Sequence, residues 1–254
     1  NVQSLETCKD AIICACALTK REEVYVLNMG INLGDEFPNF EADSTTGKIK
    51  FHDWQGDKWA ILFSHPADYT PVCTTELGKV NQMVGEFEKL NVKLIALSCD
   101  DVESHNGWAE DIKSYTGDKK FLFPIIADPK RDLATKLGML DPVEKDSAGL
   151  PLTCRAVFIV GPDHKLKLSM LYPATTGRNF DEIIRVVQSL QLTAYKKVAT
   201  PANWKSGGEC MVIPSVKQEE CAALFPQGVR TEKVPSKKEY LRFTPDPSKE
   251  ASKK

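Results

Sequence analysis

The chain has 254 residues, 42% of them hydrophobic, and its 33 basic side chains nearly balance 35 acidic ones. This length is enough for one or two domains with a sizeable hydrophobic core. A formal net charge of -2 provides no positive field for nucleic acid, and no apolar run approaches the roughly 18 residues of a membrane span. We therefore expect a globular protein that neither binds nucleic acid nor crosses a bilayer.

Residues 1–28 differ from the rest of the chain. They contain the apolar segment AIICACAL at 11–18, but acidic residues lie on both sides of it and no basic cluster precedes it. Signal peptides and mitochondrial presequences have the opposite charge pattern. We treat residues 1–28 as an N-terminal extension of unknown role.

Residues 29–197 alternate short apolar runs with longer helical patterns, which indicates an α/β domain. Residues 59–63 and 93–97 predict two buried strands. Between them, hydrophobic residues recur at helical spacing: Leu77, Val80, Val84 and Phe87. These three segments predict a βαβ unit whose strands run parallel.

The following elements are predicted in the same way. They are a helix within residues 102–115, a strand at 123–126, a short helix at 133–137, strands at 156–160 and 165–170, and a helix from about 181 to 190. The turn at 161–163 makes the last two strands an antiparallel hairpin. Prolines interrupt residues 198–254 repeatedly, so we predict a separate C-terminal domain or arm there.

The eight cysteines are too sparse for a disulfide scaffold, and no Cys-x-x-Cys pair occurs. This pattern favours thiol chemistry in a reducing compartment, and we expect a cytoplasmic location. The histidines lie at positions 52, 65, 105 and 164 and share no ligand spacing with a cysteine, so no metal site is predicted.

The segment PADYTPVCTTE, residues 66–76, places Cys73 at the junction between a strand and a helix. A helix N-terminus favours an anion, and the thiolate is the nucleophilic form of cysteine. Thr70 could supply a hydroxyl to the same pocket, and Arg155 a permanent positive charge. These residues alone leave the alternatives open: a buried apolar cysteine, a helix-capping threonine and an arginine in a surface ion pair.

The same segment resembles the Pro-x-x-x-Thr-x-x-Cys signature of the peroxiredoxins. Longer segments resemble the 1-Cys branch of that family: FHDW at 51–54, ILFSHP at 61–66, NVKLIALS at 91–98, LGMLDP at 137–142 and LYPATTGRNFDEI at 171–183. The resemblance extends from about residue 30 to about residue 245. It implies an α/β, thioredoxin-like fold at 29–197, a small C-terminal dimerisation domain at 198–254, and a homodimer.

The resemblance also implies a peroxidase that reduces hydrogen peroxide and organic or lipid hydroperoxides through a cysteine sulfenic acid. The attacking cysteine of the family falls on Cys73, its peroxide-orienting threonine on Thr70 and its peroxide-binding arginine on Arg155. The proline that shields the cysteine falls on Pro66, and we expect the neighbouring His65 to line the pocket. A redox sensor or holdase-like interaction protein is the alternative function.

No cofactor is implied, because an external thiol would regenerate the enzyme. Glutathione is the expected reductant, with or without a glutathione transferase as partner. Neither Cys210 nor Cys221 lies in the Val-Cys-Pro context of a resolving cysteine, and spacing alone does not identify cysteine redox partners.

The 1-Cys branch is also associated with a phospholipase activity attributed to a His-Ser-Asp set. Its histidine falls on His52 and its aspartate on Asp163, but its serine is replaced by Lys58. A lysine cannot form the acyl-serine intermediate. We therefore expect this activity to be absent or much reduced, and His52 to be structural.

Overall fold

The computed structural model describes residues 30–249, so the extension predicted at 1–28 and the end of the polar tail lie outside the described residues. The strands of the main domain are β1 (Glu41–Ala42), β2 (Ile49–Lys50), β3 (Trp59–Ser64), β4 (Val92–Ser98), β5 (Ile125–Ala127), β6 (Leu140–Lys145), β7 (Pro151–Thr153), β8 (Arg155–Val160) and β9 (Leu166–Tyr172). Its helices are α1 (Phe51–Gln55), α2 (Pro71–Lys89), α3 (Val102–Thr116), α4 (Asp132–Lys136) and α5 (Phe180–Tyr195). Within residues 30–249, no helix has the length and hydrophobicity needed to cross a bilayer.

Five strands form the central sheet in the order β5-β4-β3-β8-β9. The pairs β3–β4 and β4–β5 are parallel, whereas β3–β8 and β8–β9 are antiparallel. The predicted βαβ unit and the predicted hairpin are both confirmed. Because β3 is the middle strand, the loop that leaves its C-terminal end starts at the centre of the sheet.

All six side chains of β3 are buried, because helices cover both faces of the sheet. Successive side chains of a strand point to opposite faces. Trp59, Ile61 and Phe63 accordingly pack into one core with α2, α3 and α5, while Ala60 and Leu62 pack into the other with α1 and α4. The continuous apolar run in the sequence reflects this burial on two faces.

Helix α2 begins at Pro71, six residues before the first apolar position used to predict it. Proline suits the first helical position because its missing N–H would have no intrahelical partner. Helix α5 is also longer than the predicted 181–190, and Asn179 caps it by accepting hydrogen bonds from the backbone N–H groups of Asp181 and Glu182.

The C-terminal part forms its own sheet, in the order β10-β11-β13-β12. Its elements are β10 (Val198–Ala199), β11 (Cys210–Val212), a 3-10 turn (Gln218–Glu220), α6 (Cys221–Leu224), β12 (Arg230–Thr231) and β13 (Arg242–Thr244). A separate apolar cluster holds it together, and this cluster includes Trp204, Phe225 and Leu192 of α5. Helix α5 therefore joins the two parts of the chain.

Candidate active site

The loop of residues 65–70 connects the end of β3 to the start of α2. Thr70 occupies the N-cap position with an extended backbone, but its side chain does not cap the helix. Its hydroxyl instead donates to the carbonyl of Ala67 at 2.9 Å. The capping alternative for Thr70 is therefore wrong, and the hydroxyl oxygen can still accept a hydrogen bond from a ligand.

Cys73 is the third residue of α2 and is fully buried within the apolar core. Its Sγ accepts a hydrogen bond from Nη1 of Arg155 at 3.3 Å. A buried cysteine that only filled space would not need a cation at this distance. The guanidinium stabilises negative charge on Sγ, and the helix N-terminus acts in the same direction.

Arg155 begins β8 and is only 2% exposed, so the surface ion-pair alternative is also wrong. Its Nε and Nη2 both donate to the carbonyl of Ala174, at 2.9 and 2.6 Å. Its Nη1 donates to Glu76 at 2.8 Å as well as to Cys73. These contacts fix the plane of the guanidinium before any ligand binds.

Two residues that the sequence analysis did not select complete this site. The carboxylate of Glu76 accepts hydrogen bonds from Arg155 and, through both oxygens, from the side chain of Arg178. Arg178 also donates from its backbone N–H to Glu76 and from Nη1 to the carbonyl of Ala156. Both residues are buried, with exposed fractions of 4% and 7%.

The network of Glu76, Arg155 and Arg178 has an excess of positive charge. Burial opposes ionisation of Glu76, but the hydrogen bonds and charge of Arg178, and then the charge of Arg155, outweigh it and lower the pKa of the carboxyl. Two guanidinium groups and one carboxylate then carry one net positive charge beside Cys73. A thiolate would neutralise that charge.

The sequence could have indicated one of these two residues, Glu76, as part of the site. Glu76 is three residues after Cys73 on α2, so both side chains lie on the same face of the helix. Arg178 had no such signal, because it lies 102 residues after Glu76 in the chain.

The structure places Pro66 and His65 in the buried part of the loop. The ring of His65 packs against Trp108, with ring centroids 4.9 Å apart, and its Nε2 lies 2.8 Å from Asp68. Burial is the largest influence on the pKa of His65 and lowers it, although the nearby carboxylate of Asp68 acts in the opposite direction. The described side-chain hydrogen bond of His65 is to Asp68 of the loop, its carbonyl accepts from the hydroxyl of Thr153 on β7, and neither contact involves Cys73.

A cluster of possible metal ligands, unexpected from the sequence, lies beneath this loop. Within residues 30–249, His65, Asp68 and His105 bring their ligand atoms within 4.8 Å of one another. Asp68 is 2.8 Å from His65 and 2.7 Å from His105. These are hydrogen-bond distances, which indicate shared protons between the nitrogen and oxygen atoms.

The other cysteines of the described region are also free thiols: Cys99, Cys154, Cys210 and Cys221. Burial raises the pKa of Cys99, Cys154 and Cys210, and for Cys99 and Cys210 the value reaches about 11. Cys221 donates to the carbonyl of Lys217 at 3.5 Å and accepts a hydrogen bond from Nη1 of the buried Arg242 at 3.8 Å, a longer contact than the 3.3 Å between Arg155 and Cys73. Thiols with a raised pKa, such as those of Cys99, Cys154 and Cys210, are poor nucleophiles at neutral pH.

The residues at the positions of the phospholipase set make other contacts. His52 is 2.6 Å from the carbonyl of Phe37, and its ring stacks on His164 with centroids 4.1 Å apart. Asp163 forms an ion pair with Lys167 at 2.6 Å. Within the described residues, His52 and Asp163 therefore have partners other than each other.

The sheet, the helix start and the buried cysteine–arginine pair together define a thioredoxin-like thiol enzyme. The AhpC/TSA family model matches residues 33–169, and the model for the C-terminal domain of 1-Cys peroxiredoxin matches residues 189–228. The chain belongs to the peroxiredoxin family, in its 1-Cys branch, and is a thiol-dependent peroxidase with an antioxidant function. The fold predicted from the family resemblance is confirmed.

Relatives and solved structures agree with this assignment. The chain is 64% identical to peroxiredoxin-6 of Gallus gallus and 61% identical to that of Homo sapiens, in each case over 86% of this chain and 99% of the relative. A mutant of the peroxiredoxin 6 of Arenicola marina matches with a TM-score of 0.85 and 64% identity, over 87% of this chain and all of that one. The yeast mitochondrial 1-Cys peroxiredoxin matches with a TM-score of 0.77 and 44% identity, over 85% and 99%. These matches do not favour the sensor or holdase alternative.

Proposed function

We propose that Cys73 is the peroxide-attacking residue, that Arg155 and Thr70 orient the peroxide, and that Pro66 shields the thiol from water. The observation that carries this proposal is the 3.3 Å contact between Arg155 and Sγ of Cys73, inside a buried network with one positive charge in excess. Negative charge builds on the departing oxygen during O–O cleavage, and a fixed guanidinium stabilises it.

The reaction step follows from these groups. The thiolate Sγ attacks one peroxide oxygen and donates an electron pair to form the S–O bond while the O–O bond breaks. The second oxygen leaves with that bond's electrons and takes up a proton, as water from hydrogen peroxide or as an alcohol from an organic or lipid hydroperoxide. Cys73 becomes a sulfenic acid and the peroxide is reduced by two electrons.

We infer that recycling needs no bound cofactor and uses an external thiol, with glutathione as the reductant. One thiol attacks the sulfenic acid, forms a mixed disulfide with Cys73 and displaces water. A second thiol attacks that mixed disulfide and releases the Cys73 thiol, so that two external thiols become one disulfide. The yeast relative is described with a thiol-resolving mechanism through glutathione and thioredoxin systems, which supports this inference. A glutathione transferase could deliver the first thiol, and we place the enzyme in the cytoplasm.

A homodimer is part of the proposal, with residues 29–197 as the peroxidase domain and 198–254 as the dimerisation domain. Strand β9 is an edge of the central sheet, and Leu171 on it is 60% exposed. An open edge with an apolar side chain is suited to pairing with a second copy of the chain. Analytical ultracentrifugation tests this point, and a monomer at all concentrations would contradict it.

The test of the peroxidase proposal is stopped-flow oxidation of the reduced protein by hydrogen peroxide, with the product mapped by mass. We expect rapid formation of sulfenic acid at Cys73 and its removal by glutathione. Oxidation of Cys73 no faster than that of an ordinary thiol would overturn the assignment. Fast oxidation without recovery in glutathione would leave the chemistry intact but contradict the proposed reductant.

We expect serine-type phospholipase turnover of the purified enzyme to be absent or much reduced, because Lys58 occupies the position of the nucleophile. The contacts of His52 with Phe37 and of Asp163 with Lys167 support this expectation. Release of fatty acid from phospholipid vesicles at a rate sensitive to serine-directed inhibitors would contradict it.

A further inference from the structure

The carboxylate of Asp68 is the centre of a buried polar cluster beneath the loop of residues 65–70. Its Oδ1 lies 2.8 Å from Nε2 of His65, and its Oδ2 lies 2.7 Å from Nδ1 of His105. The hydroxyl of Ser104 also donates to Oδ2, at 2.8 Å. Both histidines are fully buried and Asp68 is 6% exposed.

Both ring nitrogens of His105 have buried acceptors as partners. Its Nδ1 faces the carboxylate of Asp68, and its Nε2 faces the carbonyl of Ile126 at 3.1 Å. These two contacts hold the ring of His105 between the loop and strand β5. Burial of Asp68 opposes ionisation of its carboxyl, but the hydrogen bonds of the two histidines outweigh it and lower the pKa of that carboxyl.

His65 is different. Its Nε2 donates to Asp68, but its Nδ1 is a buried nitrogen without a hydrogen-bond partner among the described residues. A proton on Nδ1 would bury both an unsatisfied donor and a positive charge. The carboxylate of Asp68 is therefore the acceptor in its contact with His65, and it holds both histidine rings.

This cluster links the loop to helix α3. Asp68 also donates its backbone N–H to the carboxylate of Asp100 at 2.9 Å. The next residue, Tyr69, has a φ of 52°, a left-handed conformation that is strained for an aromatic residue. Its hydroxyl lies against Gly107 of α3, where a Cβ atom would come within 2.4 Å of it. The surrounding contacts must hold the loop in this strained shape.

We propose that the buried, hydrogen-bonded pair of Asp68 and His105 positions the loop carrying Pro66 and Thr70 for peroxide reduction at Cys73. Neither residue touches the thiol in the described contacts, so both are positioning residues and not catalytic ones. This proposal rests on the proposed role of Cys73.

Elemental analysis of the purified wild-type enzyme tests whether the cluster binds a metal ion instead. We expect no stoichiometric metal ion on His65, Asp68 and His105. A stoichiometric metal ion bound to these side chains would overturn the proposal whether or not Cys73 is the reactive thiol.

The positioning role is tested by comparing two reactions of Cys73 in Asp68→Asn and His105→Gln variants. Peroxide must be oriented by the loop, whereas iodoacetamide needs only the thiolate. We expect the rate with hydrogen peroxide to fall about 10- to 100-fold while alkylation of Cys73 stays near the wild-type rate. Equal losses in both reactions, or no loss in either, would contradict the positioning role.

Glu110→Gln is the matched control for Asp68→Asn. It also removes a carboxylate near α3, but Glu110 is on the exposed face of that helix and pairs with Lys113. We expect both rates to match those of the wild type. A loss as large as that of Asp68→Asn would show that negative charge near α3 matters generally, and would overturn the specific role of Asp68.

Discussion

Cys73 and Cys210 are both fully buried, yet their surroundings differ in charge. Cys73 is at the start of a 19-residue helix and accepts a hydrogen bond from Arg155. Cys210 is in the C-terminal sheet, where its thiol lies 3.6 Å from the carbonyl of Gly208 as a donor. Burial, followed by the charge of Asp246, raises the pKa of Cys210 to about 11.

Burial by itself therefore does not identify a reactive cysteine in this protein. In both regions an apolar core surrounds the sulfur, and an isolated thiolate there would be unfavourable. The main domain offsets that cost with a cation held in place by Glu76 and Ala174. The C-terminal sheet offers Cys210 a carbonyl and a carboxylate, both of which favour the protonated thiol.

Replacing the sulfur with oxygen at Cys73 and at Cys210 should give the largest difference in peroxide reactivity between the two regions. We expect Cys73→Ser to abolish rapid oxidation by hydrogen peroxide, because a serine hydroxyl is not a thiolate nucleophile. Cys210→Ser should react like the wild type. Stopped-flow kinetics on both variants measures this, and full retention of activity in Cys73→Ser would show that another thiol is the site.

Removing the cation should have the next largest effect. We expect Arg155→Gln to lower the rate of peroxide reduction by about 10²- to 10³-fold, as loss of one preorganised charge-stabilising donor typically does. The control is Arg230→Gln in the C-terminal sheet, since Arg230 is half-exposed and pairs with Glu209 and Glu232. Equal rates for the two variants would contradict the importance of the buried pair.

Glu76→Gln should reduce stability rather than remove the reactive group. We expect the free energy of unfolding to fall by about 3–5 kcal/mol near neutral pH, because two buried guanidinium groups lose their carboxylate. Urea unfolding measures this. A loss below 1 kcal/mol would mean that the network is weakly coupled.

The carboxylate of Glu76 should also make the stability of the fold depend on pH. The pKa of Glu76 is lowered in the folded protein, so the ionised form stabilises the fold fully above the ordinary value of 4.5. This contribution is lost as the pH falls from there through the lowered folded pKa. The variant Glu76→Gln should lack that part of the acid dependence, and identical acid profiles would contradict the assignment.

The smallest effect is expected from Asp246→Asn. The charge of Asp246 is the second cause of the raised pKa of Cys210, after burial. Removing it should increase alkylation of Cys210 by less than about tenfold, because the burial remains. Mass spectrometry of timed iodoacetamide reactions measures this. If the variant made Cys210 as reactive as Cys73, charge alone and not the Arg155 contact would explain the difference.

Local patterns in the sequence predicted most of the sheet and its helices. The apolar run at 59–63 became β3, and the helical spacing from Leu77 to Phe87 became part of α2. The signature segment also located Cys73 at the start of that helix. Helix boundaries were less accurate, because Pro71 and Asn179 set them through capping positions outside the apolar pattern.

By itself, the sequence determined the α/β domain, the family resemblance and the candidate residues Cys73, Thr70 and Arg155. Only the tertiary structure decided that Arg155 is buried on Cys73, and that Arg178 and Glu76 complete the network although 102 positions separate them. It also decided that His105 meets Asp68 across 37 positions. Periodicity reports which face of an element is buried, whereas charge pairing between distant elements depends on how the whole sheet and its helices pack.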